Sequence, residues 1–159
     1  MFHNAPMVLV PADHNDIDLL SRVKELLAPA GFGRFSITTA EQHDEMLAFT
    51  SQLAHVISCA YIGSPTALGF LGFSAGSFQD MTRVATMDES MWAALFLDNR
   101  DNLLYHLDLL IENLTDYRDA LKQRDEERLQ YLIAEGRQIQ EENVRKRQEQ
   151  NELQKGETA

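Results

Sequence analysis

The chain has 159 residues, enough for one domain or for one domain and part of another. Its 25 acidic and 14 basic residues give a formal net charge of −11, which argues against nucleic acid as a partner. One cysteine rules out an intrachain disulfide and is typical of a reducing compartment. The sequence contains neither an apolar run of about 18 residues nor a secretory signal, so it predicts a cytoplasmic protein with no membrane partner.

The N-terminal region is predicted to form one strand–helix–strand unit. Residues 5–11 are a short apolar run bounded by prolines, as expected of a buried strand. Asn15 or Asp16 caps an amphipathic helix that ends near Gly31, and a second strand reaches about Thr38. Two strands and one helix cannot cover each other's apolar faces, so this unit needs a larger sheet or a partner chain.

The remainder of the sequence is predicted to be helical. Thr39 and the glutamine three residues later have the spacing of a capping box, which begins a long helix that continues to Tyr61. Residues 69–76 are rich in glycine and form a loop or a loosely packed turn. Asp88 then caps a second helical region, and Asp125 begins the last helix.

A long apolar stripe runs along the second helical region, from Met91 to Leu121. Such a stripe needs another helix against it, and the sequence predicts few helices. We therefore expect part of this face to be buried in a homodimer interface. Beyond Ile139 the sequence is almost entirely polar and charged, so we expect the solvated helix to fray there into a disordered tail.

The stretch from Gly76 to Arg83 carries the strongest indication of a binding site. It combines a glycine, the carboxylate of Asp80 and the guanidinium of Arg83, whose planar donors fit a carboxylate bidentately. Asp80 is placed to orient that guanidinium or to cap the next turn. The alternative interpretation of the same residues is an ordinary helix start with a surface salt bridge.

A second candidate group lies on the predicted long helix, where Ser51, Gln52 and His55 occupy neighbouring parts of one surface. The alternative for His55 is a core histidine with a satisfied hydrogen bond, and Trp92 on its apolar stripe is equally compatible with a core residue.

The sequence has no nucleotide-binding glycine loop, no histidine spacing for a metal, and no nucleophile with a base at a fixed offset. It therefore predicts no catalytic, cofactor-binding or metal-binding residue in this chain.

Several short motifs follow one another along the sequence. They are Glu41, His43 and Asp44; Ser51 to His55; Gly76, Ser77, Phe78, Asp80, Thr82 and Arg83; and Asp88, Trp92, Phe96, Asn99 and Arg100. In this order they resemble the C-terminal half of prephenate dehydrogenase, from about residue 4 to about residue 141.

The resemblance implies a mainly α fold with three parts. Residues 1–38 are the C-terminal remnant of a Rossmann-like nucleotide-binding domain and supply a strand–helix–strand unit. Residues 39–140 are the helical dimerisation domain of the prephenate dehydrogenase type. Residues 141–159 are a polar tail, either helical or disordered.

The resemblance also implies roles for candidate residues. Arg83 matches the arginine that holds a carboxylate of prephenate, and His55 matches a histidine that lines the pocket for substrate and tyrosine. Gly76 and Asp80 match pocket-forming residues of a glycine-rich loop. Trp92 matches a tryptophan that can reach the site of the neighbouring subunit.

The sequence departs from the family's pattern in this pocket. The histidine matched by His55 belongs to a Ser-His-x-Pro-His motif of the family. Ser51 matches the serine of this motif, whereas Gln52 replaces its first histidine and Ala54 replaces its proline. Ser77 and Gln79 also differ from the usual glycine and arginine. Pocket polarity and feedback control by tyrosine are therefore left open.

The activity implied by the resemblance is the oxidative decarboxylation of prephenate to 4-hydroxyphenylpyruvate in tyrosine biosynthesis. NAD or NADP serves the complete enzyme, and prephenate and arogenate remain alternative substrates. The glycine-rich cofactor loop and the catalytic histidine would precede residue 1, so we expect a fragment, or a split-gene product with a separate nucleotide-binding chain. We expect no dehydrogenase activity from this chain alone.

Two other functions fit the same residues. One is a stand-alone regulatory module that binds tyrosine or a related aromatic acid through Arg83 without performing chemistry. The other is a helical dimer scaffold that binds no ligand. Binding of tyrosine or prephenate separates the first of these from the second.

Overall fold

The computed structural model describes residues 5–69, 73 and 76–157, with side chains up to residue 152. Residues 70–72, 74 and 75 belong to the stretch predicted as a loop or turn and lie outside the described residues. The described chain is mainly helical, and it divides into two compact units, Met1–Leu107 and Asp108–Ala159.

Two short parallel strands form the N-terminal sheet. They are β1 (Pro6–Leu9) and β2 (Arg34–Ile37), and every residue of one strand has a partner in the other. Helix α1 (Ile17–Leu27) connects them, because two parallel strands require a crossover rather than a tight hairpin. The predicted strand–helix–strand unit is therefore confirmed.

The ends of this crossover follow from local chemistry. A carboxylate oxygen of Asp16 accepts a hydrogen bond from the backbone N–H of Leu19 at 2.9 Å, so Asp16 rather than Asn15 is the N-cap. A short 3₁₀ turn follows α1 and stops at Gly31, whose φ of 76° lies in the left-handed region that glycine adopts most easily.

The strand–helix–strand unit leaves much of its apolar surface uncovered. On α1, Ile17 is 73% exposed and Leu26 is 78% exposed. Val8 on β1 and Ile37 on β2 are also exposed. Two strands and one helix thus fail to bury their own apolar side chains, as the sequence predicts from the size of the unit.

Residues 40–62 form one helical run with a π-turn inside it. Helix α2 (Ala40–Leu47) begins at Thr39, whose hydroxyl accepts a hydrogen bond from the backbone N–H of Gln42 at 3.1 Å. The π-turn occupies Ala48–Gln52, and helix α3 (Leu53–Ile62) follows it. The sequence predicts one uninterrupted helix here, because apolar spacing does not reveal a single wide turn. Such turns are rare and are found frequently at functional sites.

Three shorter elements follow in the first unit. Helix α4 (Gly76–Thr82) leads directly into a 3₁₀ turn (Arg83–Ala85), and helix α5 (Glu89–Asp98) comes next. Both α4 and the 3₁₀ turn pack against α3. The structure therefore has a helix from Gly76 onwards, where the sequence suggests a flexible glycine turn.

The second unit is built from two antiparallel helices. Helix α6 (Arg100–Gln123) begins in the first unit and continues into the second, and helix α7 (Glu126–Glu157) lies entirely in the second. Arg124 adopts a left-handed φ of 54° between them, and the carboxylate of Asp125 accepts a hydrogen bond from the backbone N–H of Arg128 at 2.9 Å. Among the described residues of the second unit, the buried apolar residues are Ala120 and Leu132.

Helix α7 continues through Glu157, whereas the sequence predicts fraying beyond Ile139. Ion pairs along the polar surface account for the difference. Arg145 pairs with Glu142 at 2.6 Å and with Glu149 at 3.2 Å, spacings of three and four residues that support a helix. No helix within the described residues is long and apolar enough to cross a membrane.

Asp88 caps α5, the helix that carries Trp92. Its carboxylate accepts hydrogen bonds from the backbone N–H of Met91 at 2.8 Å and from the hydroxyl of Ser90 at 2.7 Å. These hydrogen bonds, chiefly the one from Met91, lower the pKa of Asp88 in the folded chain.

We expect Asp88→Ala to lower the midpoint of thermal unfolding, while Asp88→Asn keeps most of the cap. Because the folded pKa lies below the unfolded one, the charge-dependent stabilisation is complete above the unfolded pKa of about 4. It is lost as the pH falls through the folded pKa. Thermal denaturation at neutral and acidic pH measures both effects, and an alanine variant as stable as the parent at neutral pH would contradict the cap.

Candidate functional site

The centre of the candidate site is a stack of two aromatic rings. The imidazole of His55 on α3 lies 3.8 Å from the ring of Trp92 on α5, at an interplanar angle of 28°. Trp92 also contacts Phe96, with ring centroids 5.5 Å apart. Both members of the stack are partly buried, so the stack joins the two helices and still reaches the surface.

The orientation of the His55 ring is fixed by the preceding turn. Its Nδ1 atom lies 2.8 Å from the carbonyl oxygen of Ser51, the penultimate residue of the π-turn. A carbonyl only accepts, so Nδ1 carries the proton, and Nε2 of the neutral ring is an acceptor. No described residue forms a hydrogen bond with Nε2, which leaves this atom available to a ligand.

Gln52 lies beside the stack but is committed to the protein's own hydrogen bonds. Its side chain is buried, and its Nε2 atom donates to the carbonyl oxygen of Leu95 on α5 at 3.2 Å. Its Oε1 atom accepts a hydrogen bond from Nδ2 of Asn99 at 3.0 Å. Asn99 also donates to the carbonyl oxygen of Asp44 at 2.7 Å. The π-turn is therefore tied to the end of α5.

Arg83 begins the 3₁₀ turn that packs against α3. A contact of 3.8 Å between Cys59 Sγ and the carbonyl oxygen of Ala85 anchors this turn. Cys59 lies four residues after His55, one helical turn along the same face of α3. The Arg83 side chain is exposed and makes no ion pair or hydrogen bond with the residues that the structure describes.

Gly76 and Asp80 lie on α4, and both are exposed. Asp80 forms no ion pair with Arg83, so the described structure contains neither the orienting contact nor the surface salt bridge considered from the sequence. A Cβ atom added at Gly76 would meet nothing within 4 Å. Neither backbone conformation nor local crowding within α4 therefore requires a glycine at this position.

The structure brings only some of the predicted residues into direct contact. Ser51, His55 and Trp92 form one connected group, and Gln52 supports it from the interior. Sequence reasoning did not select Asn99, the partner of Gln52, as a site residue. No local pattern indicates that pairing, because the two residues are 47 positions apart.

A separate open cleft of about 300 Å³ lies at the junction of α5 and α6. It is lined by the residues Asp44, Leu97, Asp98, Asn99, Arg100, Asp101 and Asn102. Three carboxylates face one guanidinium there, and that guanidinium is already paired with Asp101 at 2.7 Å. The charge balance of this cleft disfavours an anionic ligand, in contrast to the surroundings of Arg83.

Residues 39–135 match the family described as prephenate dehydrogenase, dimerization domain. The chain belongs to this family. The matched segment contains the π-turn, the His55–Trp92 stack and the Arg83 turn, and it confirms the family resemblance stated from the sequence motifs.

One relative supports this assignment, and two solved structures share the fold. A cyclohexadienyl dehydrogenase from Zymomonas mobilis is 34% identical over 131 residues, which are 79% of this chain and 44% of that protein. Arogenate dehydrogenase from Synechocystis superposes with a TM-score of 0.73 and 21% identity, over 89% of this chain and 53% of that chain. Prephenate dehydrogenase from Aquifex aeolicus, in complex with hydroxyphenyl propionate and NAD+, superposes with a TM-score of 0.64 and 24% identity. The match covers 84% of this chain and 49% of that chain.

These comparisons confirm the mainly α fold of the prephenate dehydrogenase type. The chain spans about half the length of the relatives that it matches.

The stack offers a direct spectroscopic test, because Trp92 is the single tryptophan of the chain. We expect His55→Ala to shift the emission of Trp92 to longer wavelength, since the indole face covered by the imidazole becomes exposed to water. His43→Ala is the matched control, because His43 pairs with Asp44 on α2 instead. An emission spectrum that is the same in the parent and in His55→Ala would contradict the stacked geometry.

Proposed function

We propose that this chain is the substrate-binding and dimerisation portion of an NAD(P)-dependent prephenate dehydrogenase of the cytoplasm. One observation carries the proposal. The exposed guanidinium of Arg83 has no partner among the described residues, and its turn packs against the helix that bears the His55–Trp92 stack. A guanidinium on a turn that packs against the helix of an aromatic stack suits a ligand that combines a carboxylate with a six-membered ring.

The proposed roles follow from the chemistry of each group. Arg83 holds a carboxylate of the ligand with two parallel N–H donors, which fixes both its position and its orientation. The free Nε2 atom of His55 forms one directional hydrogen bond with the ligand, and Trp92 supplies a flat apolar wall. We propose that Gly76 and Asp80 border the same region, since α4 packs against α3, and that the Ser51 carbonyl holds the His55 ring.

In the proposed complete enzyme, the nicotinamide cofactor accepts the hydride. The A. aeolicus relative was solved with NAD+. The residues of this chain do not fit that cofactor. Its two parallel strands are joined by a crossover that lacks the glycine-rich turn needed for close approach of a pyrophosphate. We propose that residues 1–38 are the end of a nucleotide-binding domain whose remainder comes from the same polypeptide or from a separate chain.

Homodimer formation is the second half of the proposal. Helix α6 carries large apolar side chains that are exposed in the single chain, although a soluble helix normally buries such residues. A second copy of this helix pair would cover them, in keeping with the family's description as a dimerization domain. The exposed residues on α6 are Leu104, Tyr105, Leu109, Ile111, Leu114 and Leu121.

The matched proteins point to a class of substrates rather than to one compound. The matched proteins are named cyclohexadienyl, arogenate and prephenate dehydrogenases, and these names share a cyclohexadiene acid with an oxidisable ring. Prephenate is the substrate that we propose. Arogenate differs from it by an amino group in place of a keto oxygen, so it would present the same ring and carboxylates to Arg83 and His55.

Isothermal titration calorimetry with prephenate and with 3-(4-hydroxyphenyl)propionate tests the binding role of Arg83. We expect Arg83→Ala to weaken binding by at least about tenfold, because the ligand carboxylate loses a charge-assisted bidentate partner. Arg83→Lys keeps the charge but not the planar fork, so we expect an intermediate loss.

Arg100→Ala is the matched control for this titration. Arg100 is an exposed arginine on the same chain, but it is already paired with Asp101, outside the stack. Its removal changes the net charge by the same amount and should leave affinity nearly unchanged. Equal losses for Arg83→Ala and Arg100→Ala would reduce the effect to net charge and would contradict a specific site.

A further inference from the structure

Two contacts join α3 and α5 in a matched register. Gln52 contacts Leu95, and three residues further along α3 His55 contacts Trp92, which lies three residues earlier on α5. The contacts therefore advance in opposite directions along the two helices, one turn apart. This pattern makes the position of the ring stack depend on the same helix register as the buried amide contact.

The polar contact is the more restrictive of the two. The amide bridge, which we define as the Gln52 side chain with Leu95 O and Asn99 Nδ2, uses directional bonds of 3.2 and 3.0 Å at a buried residue. A further bond of 2.9 Å from Asn102 Nδ2 fixes the Asn99 amide itself. A slide of α5 by one residue would break the amide bridge, whereas two flat rings tolerate small lateral displacements.

The π-turn links the amide bridge to the orientation of His55. Gln52 is the last residue of that turn, and the neighbouring Ser51 provides the carbonyl that holds Nδ1 of His55. The wide turn is closed by a bond from the backbone N–H of Leu53 to the carbonyl oxygen of Ala48. Anchoring Gln52 to α5 therefore holds the segment that aims the His55 ring.

We propose that Gln52 is a positioning residue, which through the amide bridge to α5 holds the His55 ring against Trp92 in its ligand-binding orientation. The proposal replaces direct ligand contact by Gln52 with an indirect role, because its amide is buried and engaged on both its nitrogen and its oxygen. It rests on the proposed function for the identity of the ligand. The position of the ring stack can be measured without any ligand.

The test uses Gln52→Leu in the full chain, with Gln42→Leu as the matched control. Leucine removes the donor and acceptor at similar size, and Gln42 is an exposed glutamine on α2 outside the amide bridge. We expect the emission of Trp92 in Gln52→Leu to move toward that of His55→Ala, while Gln42→Leu keeps the parent emission. We also expect Gln52→Leu to bind 3-(4-hydroxyphenyl)propionate about tenfold more weakly than the parent does.

Two further variants keep the test decisive if Gln52→Leu does not fold. Asn99→Ala removes one arm of the amide bridge and leaves the bond to Leu95, so it should shift the emission in the same direction by a smaller amount. Gln52→His offers one donor and one acceptor, which are the two functions that the amide uses here, and should restore much of the parent emission and affinity.

Each outcome has a defined meaning. A folded Gln52→Leu or Asn99→Ala variant with lower stability but unchanged Trp92 emission would overturn the positioning role, because it would reduce the amide bridge to a purely structural contact. Shifted emission with weaker binding supports the proposal. Shifted emission in a chain whose parent binds no ligand supports the positioning of His55 and counts against the proposed function alone.

Discussion

The register between α3 and α5 is the constraint on which the candidate site depends. His55 and Trp92 come from different helices, so their stack depends on how those two helices are aligned. An aromatic stack of this kind contributes about 1 kcal/mol, whereas a buried amide group left without its partner costs about 1–3 kcal/mol. The proposed positioning role of Gln52 rests on this difference, because its hydrogen bonds are the costlier contacts to break.

The proposed binding of an acidic ligand is compatible with the acidic composition of the protein. The formal net charge of −11 would repel an anion at long range, but charges beyond about 8 Å are largely screened at physiological salt. Arg83 is exposed, and no described carboxylate pairs with it, so its charge is not neutralised by an adjacent anion. In the cleft beside α6, Asp101 already occupies Arg100. Arg83 can therefore pair with the carboxylate of a ligand, whereas Arg100 is already paired within the protein.

Much of the fold could be predicted from sequence because its signals are local. Asp16, Thr39, Asp88 and Asp125 cap helices as their spacing indicates. The first strand lies in a short apolar run, and the second lies where apolar and polar residues alternate. The π-turn was not predictable in this way. One additional residue in a turn hardly changes the apolar pattern of a helix, and the hydrogen bonds that anchor the turn come from α5 and from Asn99, far along the chain.

The same distinction holds within the candidate site. Family motifs selected His55, Trp92 and Arg83, and the structure stacks the first two while placing Arg83 on a turn packed against α3. The family motif also placed Gln52 at the pocket, but its sequence position does not show that its amide is committed to α5. In helix α7, the almost entirely polar segment beyond Ile139 remains helical to Glu157, with ion pairs at helical spacing.

The most direct test of this account is a map of amide and side-chain NMR shifts as the full chain is titrated with 3-(4-hydroxyphenyl)propionate. The account predicts saturable shifts that include the His55 ring, the Trp92 indole N–H and the Arg83 guanidinium, with little change along the polar surface of α7. Saturable binding that leaves these three groups unperturbed would contradict it.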